Sequence, residues 1–151
     1  MQRKIAVAAS AIAALVVFVS ARGDAPVKVA EWISVEDLNA LAGEQLKTLE
    51  QQLGDQGAYD ERNEKDIPRT AGALACVAQA IAEHKDHSRL KVSAPALRDA
   101  ALKLAKADAY SAAATALEQA QGAYAGTGAA GGPVEFDWTE LIDVDSLMDE
   151  V

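Results

Sequence analysis

Between residues 32 and 126 the apolar positions return every three or four residues and never alternate as a half-buried strand would. The first run is WISVEDLNALAGEQLKTLEQQLG, in which Leu38, Ala42, Leu46, Leu49 and Leu53 share one helical face. Ser34 stands where an N-cap belongs, with Asp37 three residues on. Ile33 and Leu38 are spaced to staple the entry, and Gly54 supplies a stop. A polar stretch, 54–66, reads as a long surface loop. A second helix opens near Pro68, where a missing N–H costs nothing. It carries Leu74, Val77, Ala78 and Ile81 inward and ends around EHKDH. A third follows Ser93 with Leu97, Ala100, Ala101, Leu104 and Ala105. A fourth, capped by Asp108, carries Tyr110, Ala113, Leu117, Ala120 and Tyr124 to Gly126.

Four amphipathic segments with no strand signal predict an all-α antiparallel four-helix bundle over 32–126. Alanine supplies 34 of the 151 residues, so leucine layers alternate with light ones that let helices approach closely. Beyond the bundle the texture changes. Residues 127–133 read as a flexible Gly-rich linker, and 134–151 as an acidic amphipathic tail with seven acids and no base. At the other end, Arg3 and Lys4 precede an uncharged apolar run closed by Val19-Ser20-Ala21. That is the pattern of a signal peptide over 1–21, followed by a flexible lead over 22–31. The expected location is therefore exported, periplasmic or secreted.

Two of the fourteen basic residues and no acid lie in 1–21, so the processed chain keeps twelve bases against twenty-three acids, a net charge of −11. Such a surface repels phosphate backbones and anionic lipid heads, so neither nucleic acid nor, after cleavage, membrane is an expected partner. One cysteine excludes an internal disulfide framework.

The chain's only cysteine and its only histidines fall within ACVAQAIAEHKDH, as Cys76, His84 and His87. Cys76 and His87 share a helical face, but eleven residues of rise separate them by about 16 Å, too far to hold one ion. His84 and His87 are weak candidates for a metal near a helix end, where an imidazolium also complements the helix dipole. Cys76, flanked by Ala73 and Ala80, reads as a small buried hydrophobe. Covalent haem attachment needs two thiols, and a non-covalent haem needs an axial His or Met on a buried stripe. His84 and Met148 are available, and neither sits on one. Haem is therefore the alternative, and the expectation is no cofactor. No nucleophile triad or phosphate loop is present, and Asp143-Val-Asp145 lacks the turn glycine of a calcium loop.

The stretch from Pro68 to Gly126, with LACVAQAIAEH followed by SAPALRDAALKLAKADAYSAAATALEQAQGAYAG, resembles in texture the exported helical bundles related to cytochrome c′. The resemblance covers about 60 residues and is one of Ala, Leu and spacing. It implies a periplasmic four-helix bundle and haem-based electron transfer. That family carries Cys-x-x-Cys-His at the end of its last helix, where this chain reads QGAYAGTGAAGG, so no ligand carries over. The expected function is that of an exported, non-enzymatic, cofactor-free bundle acting through protein binding. The runner-up is a periplasmic haem- or metal-binding electron-transfer or sensor protein. The tail, through Trp138, Leu141 and Met148, is the expected contact with a protein partner or with the bundle itself.

Overall fold

The computed structural model describes residues 32–138. The expected signal peptide, the lead up to residue 31, and Leu141 and Met148 of the tail lie outside them. The described chain is all-helical, with no strand among these residues. Five α-helices follow one another: α1 Val35–Leu53, α2 Tyr59–Asn63, α3 Asp66–Glu83, α4 Ala94–Ala105 and α5 Tyr110–Tyr124. Among the long ones, α3 packs against α1 and α4, and α5 against α4 and α1.

Local chemistry accounts for some of the boundaries. Ser34 caps α1, its hydroxyl accepting the Asp37 N–H at 3.1 Å. The expected inner face of α1 is buried from Leu38 to Leu53, and Val35 joins it. At the far end of α5, Gly126 takes φ +74°, and a Cβ there would run into the Lys91 carbonyl. Only glycine fits that left-handed, close-packed exit. Gly54 stops α1 differently, with an ordinary right-handed φ of −66°.

Three readings need correction. Asp108 does not cap α5; Ala109 holds that position without a side-chain bond. The stretch 54–66 is not a bare loop, since it forms a 3₁₀ turn at Gln56–Ala58 and then α2. Tyr59 anchors it: the ring is buried, meets Tyr110 edge-on at 5.6 Å between centroids, and donates its hydroxyl to the Ala107 carbonyl at 3.3 Å. Finally, α3 has no single inner stripe. Every residue from Leu74 to Ala82 is buried, which makes it the central helix. The C-terminal segment also reaches it, through Val134 and Trp138.

Candidate functional site

His84 was expected on a solvated helix end and is instead 3 % exposed. It ends α3 as the C-cap. Its Nδ1 accepts the Asp86 N–H at 3.0 Å, which leaves the ring proton on Nε2, donated to the Ile33 carbonyl at 3.3 Å. His84 therefore ties the entry of α1 to the end of α3. His87 is exposed, with Nδ1 2.7 Å from the His84 carbonyl. The structure brings the two histidines next to one another with three of their four ring nitrogens engaged by backbone. Among the described residues no group of three or more His, Cys, Asp or Glu is placed to hold a metal. Cys76 is buried, and that burial pushes its thiol pKa up to about 11. Burial, then Asp108 and Asp60, likewise raise the Tyr59 hydroxyl.

The most heavily built polar cluster lies elsewhere, on the facing surfaces of α3 and α4. Arg98 is 1 % exposed and Gln79 fully buried, yet both sit among alanines. The Arg98 guanidinium grips Asp99 Oδ1 through Nε at 2.8 Å and Nη2 at 2.6 Å. Its Nη1 donates to Gln79 Oε1 at 2.9 Å. Gln79 Nε2 in turn donates to Glu83 Oε1 at 2.6 Å, one turn along α3. A buried cation is tolerable only when compensated in this way.

The remaining capacity of the cluster goes to the chain's own C-terminal segment. Asp99 Oδ2 accepts the Gly132 N–H at 2.7 Å, and Arg98 Nη1 donates to the Pro133 carbonyl at 2.9 Å. Gln79 Nε2 donates to the Val134 carbonyl, also at 2.9 Å. Three successive residues are thus read through their backbone. Two aromatic rings follow. Arg98 stacks 4.2 Å from the centre of the Phe136 ring, and Trp138, 1 % exposed, donates its indole N–H to Glu83 Oε1 at 3.1 Å. Glycine is required for this seating. A Cβ on Gly131 would collide with backbone atoms of Pro95 and Ala96 in the first turn of α4. The stretch expected as a free linker is therefore held against α4 at Gly131 and Gly132. Trp138 is a buried anchor on the chain's own helices.

Sequence reasoning passed over Arg98, Asp99, Gln79 and Glu83. One signal was legible: Gln79 has Ala75 and Ala82, and Arg98 has Ala94 and Ala101, one turn away on either side. A polar residue between two buried alanines at i−4 and i+3 faces inward. Compared with protein-family models, curated proteins and solved structures, the chain matches none of them.

Proposed function

We propose that this chain is an exported, non-enzymatic protein built as an antiparallel four-helix bundle, a cofactor-free relative of cytochrome c′-type bundles that works by binding another protein. The neighbour order supports the bundle: each long helix flanks two others, and short links such as 106–109 turn one helix back on the last. One observation carries the binding reading. The most deeply buried polar side chains, Arg98 and Gln79, are committed to holding the backbone of an irregular segment through its carbonyls, a task of recognition. The electron-transfer alternative needs an axial ligand, and His84, the histidine nearest the core, has both ring nitrogens on backbone partners. No described helix is long and apolar enough to cross a membrane. The visible absorption spectrum and intact mass of protein purified from its native compartment test this reading. The expected result is a mass beginning at Arg22 and no Soret band. A Soret band, or a full-length chain in the membrane fraction, contradicts it.

A further inference from the structure

We propose that residues 139–151 dock in cis on the end of the bundle that presents Trp32 and the loop 84–91. Leu141 and Met148 meet the Trp32 ring there, and the acidic positions of the segment face Lys85 and Lys91. This contact goes beyond the function proposed above and does not depend on it.

Trp32 is 74 % exposed, whereas every other aromatic ring among the described residues is buried or half-buried. A lone exposed ring asks for no explanation by itself, so its setting decides. The ring stands on a fixed stretch of backbone: Ile33 is buried and bonded to His84, and Ser34 caps α1. Arg89 reaches Glu36 at 2.9 Å and brings the loop alongside the first turn of α1. Lys85 and Lys91 are exposed, and neither side chain bonds another described residue. Residues 85–91 hold three bases and one acid, in a chain of net charge −9. The chain leaves the described residues at this same end. Trp138 is bonded to Glu83, next to His84, and His84 to Ile33, next to Trp32. Thirteen residues follow, TELIDVDSLMDEV, with five acids and no base. Leu141, Val144 and Met148 recur at helical spacing. Even at the rise of a helix, thirteen residues span about 20 Å, close to two helix widths. The segment thus complements the surface in sign, in apolar content and in reach. Residues 22–31, on the other side of Trp32, carry Arg22 and Lys28 against Asp24 and Glu31 and offer the loop no net charge. Joined directly to its anchor, the tail is presented at an effective concentration of about millimolar, so individually weak contacts suffice.

The test uses the full chain labelled with nitrogen-15, its two indole N–H signals told apart with Trp32→Phe. The Trp32 indole is expected to exchange at least tenfold more slowly in the wild type than in the tail variant Leu141→Asp/Met148→Asp. Lys85→Glu/Lys91→Glu, at two exposed positions without side-chain bonds, should lower that protection at least threefold. Equal exchange in the wild type and the tail variant overturns the proposal, as does protection indifferent to the two loop charges. A nitroxide on Ser146→Cys gives a second measure that alters nothing in the bundle. Cys76 is buried with its thiol raised to about 11, and so stays unlabelled in the native chain. The nitroxide should broaden the Trp32 indole and the 85–91 amides of the chain that carries it. No broadening overturns the contact. Broadening that appears only when a spin-labelled chain is mixed with a nitrogen-15 chain assigns the surface to a second copy's tail and overturns docking in cis.

Discussion

At the scale of single residues, two histidines three positions apart have opposite roles. His84→Ala would leave the buried Ile33 carbonyl and the Asp86 N–H without their partner and open a void at the end of α3. The expected loss is about 1–3 kcal/mol in urea denaturation. His87→Ala, at an exposed position, should stay within about 0.5 kcal/mol. Equal effects of the two would contradict the assignment. Cys76 makes a second expectation. With its pKa near 11, about one thiol in a thousand is ionised at pH 8, so native protein should resist alkylation until it unfolds. The sign of the linkage follows from the same shift. The unfolded thiol ionises near its ordinary value of 9, before the folded one does. Its contribution to stability is therefore complete below pH 9 and lost as the pH climbs toward 11. Cys76→Ala should lack that part of the alkaline decline, as measured by denaturation midpoints across pH 8–11. Cys76→Ser should cost about 1–3 kcal/mol, since it puts a hydroxyl among alanines.

At the scale of elements, the stretch 54–66 shows how a polar sequence can still be ordered. Tyr59 is its one large ring, and Asn63 adds a bond to the same Ala107 carbonyl at 3.1 Å. Tyr59→Ala should cost about 3–5 kcal/mol, whereas Tyr59→Phe, which keeps the ring, should cost about 0.5–1.5 kcal/mol. Thermal melts of the two variants check this, and a harmless Tyr59→Ala would return the stretch to a surface loop. Two of the long helices, α1 and α5, were legible because each pairs a punctuating residue with a periodic face: Ser34 before Leu38 to Leu53, and Gly126 after Ala113 to Ala123. What escaped is the part fixed by tertiary contact. Nothing local in Tyr59 says that Tyr110 is waiting for it, and nothing in Ala109 marks it as the N-cap in place of Asp108. The candidate site escaped for the same reason. Gly131 and Gly132 read locally as conformational freedom, and only the proximity of Pro95, Ala96 and Asp99 shows that the missing side chains make room.

At the scale of the whole molecule, both ends of the described chain meet at the C-terminal end of α3. Ile33 is held by His84, and Trp138 by the adjacent Glu83. The neighbouring Trp32, by contrast, is 74 % exposed. The two tryptophans thus sit close in the fold and in opposite surroundings. The central claim is that residues 131–138 are seated on α3 and α4 through Arg98, Gln79 and Trp138. Tryptophan emission of the full chain carrying Trp32→Phe, which leaves Trp138 alone, tests it most directly. A seated segment predicts blue-shifted emission protected from acrylamide, and a shift to the red with loss of protection when Gly131→Val is added. A fully exposed spectrum before that change, open to the quencher, would contradict it.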